Sequence, residues 1–508
     1  MWDELSARAK KRRSPSLHDN KAKVPSSARV RLARVTTIDT LPDDVLLEIF
    51  DHHRLHALEY SFFEPWEWHR LAHVCRRWRS IIFASPRRLD LRLVYTYRKP
   101  VRKTLNCWPA LPISIWYPRL VLCHPLSSAD EDNVVSALQH PSRICEINLT
   151  LTRPLLEKLT PLMRDPLPAL EYLQLVSRDM MESLVLPTSF LGGVTPRLCH
   201  IDLDGTPFPT LPKLLSSATD LISLRLYEVP NTGYISPGEL VAGLDATPKL
   251  KSLEISFHDC TTSLGQDSAL TSSQARTVLS ALTEFQFRGD SDYLEDLVSR
   301  IDAHNIEQCS ITLLDERMFE IPQLAQFIGR TGELKSSPYR TSIWLWQRGF
   351  SITHYFGRHH PFDGGTFRLQ IPCHGLARQM NLLACTCRRL SVLVSGVERL
   401  DIEADRVPSD SWDETITPRW LELFTPFGGV RRLELIGTLV PSIGSALEQS
   451  TTENGGTGVS GPEVFPLLRD LHLRDTFTPP PLESFIAARR LSGHIVSVHY
   501  EREASDGP

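Results

Sequence analysis

Ten times along this chain an apolar residue is followed three places later by a second, and two places after that by a third. The copies are Ile144/Ile147/Leu149, Leu170/Leu173/Leu175, Leu198/Ile201/Leu203, Leu221/Leu224/Leu226, Leu250/Leu253/Ile255, Leu282/Phe285/Phe287, Ile306/Cys309/Ile311, Val397/Leu400/Ile402, Val430/Leu433/Leu435 and Leu468/Leu471/Leu473. Neighbouring copies mostly stand roughly 23 to 38 residues apart. The closing step of each copy has the two-residue period of a strand, so each predicts a short strand with alternate residues turned inward. The residues between copies, such as Asp130 to Leu138 and Tyr293 to Ile301, carry apolar positions at helical spacing. A strand-then-helix unit buries its apolar edge only by stacking on its neighbours. A chain of 508 residues exceeds one ordinary core, and stacking gives it an elongated one. The expected class is α/β, with a parallel sheet along one face.

The pattern resembles a leucine-rich repeat, whose fold is a horseshoe solenoid. It departs from the standard form, because no Asn or Cys recurs after the third apolar residue: Val-Ser-Arg follows Leu175 and Asp-Gly-Thr follows Leu203. Irregular turns and a degenerate repeat are therefore expected over 89–500. Proline often precedes a copy, as at Pro168, Pro196 and Pro248. Two polar stretches, near 261–280 and near 446–463, read as disordered loops. Between 312 and 396 the template fades, although Ile343 to Trp346 and Phe367 to Ile371 still look like strands. The last strand candidate is His494 to Tyr500, and 501–508 reads as a disordered tail.

Composition narrows the function. The formal net charge of -4 argues against bulk nucleic-acid binding, which needs a basic face. No apolar run reaches the roughly 18 residues of a membrane span. The first residues, MWDELSARAKKRRSPS, lack the apolar core of a secretory signal, so the ten scattered cysteines read as reduced thiols of a cytoplasmic or nuclear protein. Residues 1–36 predict a disordered basic tail, whose Lys10 to Arg13 cluster suits either nuclear import or plain solvation.

The stretch from Thr40 to Pro86 has a different character. Pro42 fits the first helical position, and Asp43 and Asp44 follow where the helix dipole favours carboxylates. Leu41, Val45 and Ile49, with Leu46 and Phe50 beside them, make a wide apolar stripe on a short helix. After an aromatic-rich insert, Asp51 to Trp66, a second helix is expected from Pro65. Its Trp68, Leu71, Ala72, Cys75, Trp78 and Ile82 recur at three- and four-residue steps, with Arg70, Arg76, Arg77 and Arg79 opposite. A unit this small buries too little to stand alone, so it either caps the repeats or docks on a partner. Leu41 to Phe50, LPDDVLLEIF, and Leu71 to Ile82, LAHVCRRWRSII, resemble in order the two halves of an F-box, here of the fungal-type F-box-like kind. The resemblance implies an F-box-like helical domain over 37–88 that docks on a Skp-type adaptor and, through it, a cullin scaffold. By position, the adaptor contacts would be Leu41, Pro42, Val45, Leu46, Ile49, Phe50, Leu71, Val74, Cys75, Trp78 and Ile82.

Motifs of chemistry are sparse. Gly329 to Ser336 differs from a phosphate loop, since Leu334 stands where glycine must precede the lysine. His354, His359, His360, Asp363, Cys373, His374, Cys385 and Cys387 lack the paired spacing of a zinc site, and Cys385 and Cys387 alternate as on one face of a strand. No catalytic residue, metal or cofactor is expected. The sheet face should instead bind protein, through Tyr172, Gln174, His200, Asp202, Arg225, Tyr227, Glu254, Gln286 and Arg288, a mixture of residue types suited to recognition. The expected function is a non-enzymatic substrate-recognition adaptor of an SCF-type ubiquitin ligase, the repeats binding a target protein. The alternative is a leucine-rich-repeat interaction scaffold without a ligase role.

Overall fold

The structure is a computed structural model. It describes residues 38–60, 68–85, 89, 91–95, 105, 111–117, 126–177, 184–258, 276–315, 321–332, 334, 336–357, 364–405, 417–452, 464–474 and 482–501. The basic segment 1–36 and the Lys10 to Arg13 cluster lie outside them. Two compact units divide the chain, Met1–Asp90 and Leu91–Pro508. Among its described residues the first holds a 3-10 turn (Ile38–Thr40) and three α-helices, α1 (Asp43–Tyr60), α2 (Trp68–Val74) and α3 (Arg76–Ala84).

The second unit alternates strands and helices. Its strands are β1 (Leu93–Tyr95), β2 (Ile113–Tyr117), β3 (Ile144–Leu151), β4 (Tyr172–Ser177), β5 (His200–Asp204), β6 (Ser223–Val229), β7 (Ser252–Phe257), β8 (Thr277–Val278), β9 (Glu284–Gly289), β10 (Ile301–Asp302), β11 (Gln308–Leu313), β12 (Arg340–Trp346), β13 (Gly349–Tyr355), β14 (Thr366–Pro372), β15 (Arg399–Ala404), β16 (Arg432–Gly437), β17 (Asp470–Arg474) and β18 (Ser497–Glu501). Sixteen of them form one open sheet in the order β1-β2-β3-β4-β5-β6-β7-β9-β11-β14-β13-β12-β15-β16-β17-β18, and β8 pairs with β10 apart from it. All neighbours in the large sheet are parallel except at β13, which runs against both β12 and β14. Parallel strands need crossovers, and helices supply most of them. These are α4 (Ser128–Leu138), α5 (Arg153–Leu159), α6 (Leu211–Leu215), α7 (Pro237–Leu244), α8 (Ser291–Arg300), α9 (Pro322–Arg330), α10 (Leu376–Arg389), α11 (Ser391–Val394), α12 (Thr417–Phe424), α13 (Val440–Thr452) and α14 (Glu483–Leu491). Successive helices pack side by side, α6 to α9 in one run and α10, α12, α13 and α14 in another.

The second and third residues of each of the ten apolar triplets lie on a strand of this sheet, and register turns them into ladders. One row runs Ile147, Leu173, Ile201, Leu224, Leu253, Phe285, Cys309. A second runs Leu149, Leu175, Leu203, Leu226, Ile255, Phe287, Ile311. Leu400, Leu433, Leu471 and Ile402, Leu435, Leu473 resume the two rows farther along. All of these side chains are buried. Each contributes roughly 1.5–3 kcal/mol by leaving water, so the rows are the main cohesive element of the unit. The first residue of each triplet is also buried, just ahead of its strand except for Ile144, which opens β3. The prolines there close turns: Leu170, Leu198 and Leu250 donate their N–H to the carbonyls of Leu167, Thr195 and Thr247, which places Pro168, Pro196 and Pro248 second in a four-residue turn.

The stretch where the template fades is an insertion in the sheet. The chain leaves β11, skips two strand positions to form β12, turns back antiparallel as β13 and returns as β14 beside β11. At the β12–β13 turn only glycine fits position 349, because a Cβ there would lie 2.6 Å from the Ile371 carbonyl and 2.7 Å from the Trp346 ring. The first ladder continues through the insertion as Phe367, His354, Thr341 and Leu400. Two polar residues therefore occupy inward positions. The fully buried His354 shares a 2.8 Å hydrogen bond between its Nδ1 and Thr341 Oγ1, and its ring stacks on Phe367. The second ladder stays apolar there, as Leu369, Ile352 and Ile343.

Several expectations need correction. The loop expected near 261–280 is described from 276, and there Thr277–Val278 forms β8, pairing with β10. The loop expected near 446–463 begins as helix, because α13 runs to Thr452. Strand β18 extends into the expected tail, to Glu501. Cys385 and Cys387 lie on α10, not on a strand: Leu376, Met380, Leu383 and Cys387 repeat at the three- and four-residue steps of its buried side.

Burial pulls the His354 imidazole down to about 3, from an ordinary value near 6.5. The unfolded chain therefore binds a proton at this residue that the folded one refuses, and stability falls as the pH drops below 6.5. At pH 5 the loss through His354 is about 2 kcal/mol. Urea unfolding at pH 7 and pH 5 should show a lower midpoint at pH 5, and His354→Gln should flatten that dependence. His200 and His472, also shifted down by burial, add to the dependence in the same direction.

Candidate docking and recognition surfaces

The helical unit is built around an aromatic pair. Phe50 on α1 and Trp78 on α3 lie with ring centroids 4.8 Å apart. Leu46, Leu47, Ala72, Ile81 and Ile82 are buried with them. The Arg77 guanidinium reaches back to the start of α1, donating to the Leu41 carbonyl and to Asp43 Oδ1, each at 2.6 Å. Asp43 and Asp44 occupy the first turn of α1, as the dipole favours. Residues expected to form one second helix form two, α2 and α3. Cys75 breaks them with an extended backbone, and its Sγ accepts the Trp78 N–H at 3.4 Å, capping α3. The insert is also partly helical, since α1 continues through Asp51 to Tyr60; residues 61–67 lie outside the described residues.

The residues expected to touch an adaptor divide into three groups. Leu46, Phe50, Trp78 and Ile82 are buried. Pro42, Val45, Ile49 and Val74 are exposed, Val45 by 42%, Ile49 by 41% and Val74 by 59%. Leu41, Leu71 and Cys75 lie between these extremes. Val45 and Ile49 stand one helical turn apart on α1, a pair of branched aliphatic side chains open to solvent. Ile38, 46% exposed, adds to the apolar surface of this unit and was missed because it precedes the first helix. The missed core members Leu47 and Ile81 sit beside the stripe's own residues, and periodicity alone gives no reason to separate them.

On the sheet, every residue expected to face a target lies on the outward side, exposed or half-exposed. Gln174, Asp202, Arg225, Glu254 and Gln286 fall in one register row. Gln174 Nε2 donates to Asp202 Oδ2 at 2.9 Å, and Arg225 Nε lies 3.0 Å from Glu254 Oε2. Tyr172 faces His200, with rings 5.8 Å apart. Burial and then the nearby Asp202 and Glu146 charges push the Tyr172 hydroxyl up to about 12. Arg288 and Tyr227 flank a feature that sequence reading missed. Strand β6 bulges between Leu226 and Val229, and Glu228 there takes a left-handed backbone, φ 49°. Its carboxylate lies 2.7 Å from His258 Nδ1 and 3.7 Å from Arg288 Nη1. No residue type announces such a bulge.

A second missed feature crosses β12, β15, β16 and β17. Arg340 and Arg399 both pair with the buried Asp401. Arg399, Arg432 and Arg474 converge on the buried Glu434, at 2.7, 3.7 and 2.9 Å. Two desolvated carboxylates thus hold four guanidiniums, which ties the returning strands to the inserted hairpin.

Elsewhere, His354 and Cys373 are buried and His359, His360 and Asp363 lie outside the described residues. Among the described residues no group of three or more His, Cys, Asp or Glu is placed to hold a metal ion. Gly329 lies in the last turn of α9, and Gly332 follows in a turn.

An F-box-like family pattern matches residues 38–91, and no curated protein matches the chain. Residues 38–91, about a tenth of the sequence, are thus an F-box-like domain. F-box domains in general bind Skp-type adaptors and serve as adaptors in ubiquitin ligases.

The split between core and surface has a direct consequence for stability. Trp78→Ala should cost about 3–5 kcal/mol, because it empties the space against Phe50. Val45→Asp should stay within about 0.5 kcal/mol of the wild type. Chemical denaturation followed at the helical unit measures both.

Proposed function

We propose that this chain is the substrate-recognition adaptor of an SCF-type ubiquitin ligase. The observation that carries the reading is the F-box-like match at 38–91, on a unit whose Val45, Ile49 and Val74 remain open to solvent. Aliphatic side chains at one-turn spacing, supported from behind by an aromatic core, are suited to a helix-on-helix interface. The Skp-type adaptor would cover them and connect the chain to a cullin scaffold. The apolar triplets and their in-register rows support a degenerate leucine-rich-repeat solenoid of the fungal F-box-like kind, whose outward sheet face binds the target protein. The chain then performs no covalent chemistry itself. It raises the effective concentration of the target near a charged ubiquitin-conjugating enzyme, making transfer nearly intramolecular. Action in the cytoplasm, the nucleus or both belongs to the same reading.

Burial chooses the variants that test it. Leu46 and Trp78 are core residues, so replacing them removes the fold along with any interface. Val45→Asp combined with Ile49→Asp places two charges on the open surface. Co-purification of the Skp-type adaptor with the full chain should fall at least about tenfold in this double variant, with an unchanged melting temperature. Full retention of the adaptor would reject docking through this surface, and no adaptor on the wild-type chain would favour the scaffold reading without a ligase role.

A further inference from the structure

The two edges of the large sheet are finished differently. Strand β1 stands at one edge, and its inward residues Leu93 and Tyr95 are buried. Strand β18 stands at the other, and there the two apolar rows end uncovered. Leu471 leads to Val498, which is half-buried, and Leu473 leads to Tyr500, which is 61% exposed. Leu491, at the end of α14, and Ile495, in the connection to β18, are 90% and 75% exposed. A repeat array needs a cover at each end, because its last unit has a neighbour on one side only.

The open edge suits a strand. Ser497 donates its N–H to the Arg469 carbonyl, toward β17. Alternate residues turn their N–H and C=O groups to opposite sides of a strand, so those of Val498 and Tyr500 point away from β17. Among the described residues nothing pairs with them. Bare edges are commonly blunted by lysine, proline or a bulge, and β18, Ser-Val-His-Tyr-Glu, has none of these. Nor does the stretch that follows, Arg502 to Pro508, contain a large aliphatic or aromatic residue to lay over the edge.

We propose that β18 pairs antiparallel with β18 of a second copy of this chain, about a two-fold axis through His499. The strand itself selects this register. It sets Val498 opposite Tyr500 of the second copy, and Tyr500 opposite its Val498. These are the residues whose backbone groups face the open side, so each such pair exchanges two hydrogen bonds. They are also the ends of the two apolar rows, and a branched residue against an aromatic one is a favourable cross-strand pair. On the outward face Ser497 meets Glu501 and His499 meets its own copy, so no carboxylate stands opposite a carboxylate. Glu501 is held by Arg474 at 2.8 Å, and the His499 ring is stacked on His472 with centroids 4.5 Å apart, which orders the side chains beside the axis. The apolar rows then run on from one copy into the other, and both outward faces lie on the same side of one continuous sheet. The pairing involves the sheet unit alone and holds with or without docking at the helical unit.

Sedimentation velocity of the full chain over a concentration series should show a monomer–dimer equilibrium. Tyr500→Pro removes an N–H on the open side only, which an edge strand tolerates, and should weaken the dimer about tenfold at an unchanged melting temperature. Cysteine variants read the register as a gain. The two copies of residue 499 face each other with Cα atoms about 4.5 Å apart, within reach of a disulfide, whereas the two copies of residue 497 lie roughly 14 Å apart along the strands. Mild oxidation should therefore trap His499→Cys as a covalent dimer and leave Ser497→Cys no more cross-linked than the wild type. Damage to the fold does not produce that selective gain, so the cysteine pair decides even where Tyr500→Pro is destabilised. A wild type that stays monomeric throughout the series, as it would if the edge received a strand of another protein, would overturn the proposal. Equal cross-linking of the two cysteine variants, or a folded Tyr500→Pro that dimerises as tightly as the wild type, would overturn it as well.

Discussion

Two rows of buried side chains, one from Ile147 to Cys309 and the other from Leu149 to Ile311, fix the geometry of the second unit. Because the side-chain period of a strand is two, a slip of one residue would turn a whole strand's contribution outward. Each strand is therefore held in register by its neighbours on both sides, and the outward residues inherit that register. Gln174, Asp202, Arg225, Glu254 and Gln286 form a row only because Leu173, Ile201, Leu224, Leu253 and Phe285 do so beneath them. The rows thus set which residues stand side by side on the outward face of the sheet.

The same constraint explains the price of the insertion. Strand β13 runs against its neighbours, yet the inward positions must still be filled. His354 Nδ1 and Thr341 Oγ1 partner each other there, while His354 Nε2 is left buried without a hydrogen bond and the imidazole is kept neutral inside the core. The buried Asp401 and Glu434, each with two or more arginines, then join the hairpin to the parallel strands that follow. Polar pairs specify partners more narrowly than apolar contacts, and they stand where the repeating pattern stops specifying them.

Much of this was legible in the residues. The triplets marked ten strands, because alternation over a short apolar run has one simple folded meaning. The hairpin was not legible as a rearrangement: Ile343 to Trp346 alternates as any strand does, and nothing local records which way the strand runs or which strand it joins. In the helical unit, the apolar spacing found the right residues but could not divide them. Val45 and Leu46 are adjacent and equally apolar, and only packing makes one surface and the other core. Nor could spacing foresee that the Cys75 thiol would cap a new helix, since Trp68, Leu71, Cys75 and Trp78 also suit a continuous one.

In the proposed function the helical unit would dock on the adaptor and the sheet would remain free for the target. Hydrogen–deuterium exchange of the full chain, with and without a Skp-type adaptor, tests that division directly. The account predicts slowed exchange on adaptor binding in α1 and across α2 and α3, with the amides of β4 to β9 unchanged. Protection concentrated in the sheet, or none in the helices, would contradict it.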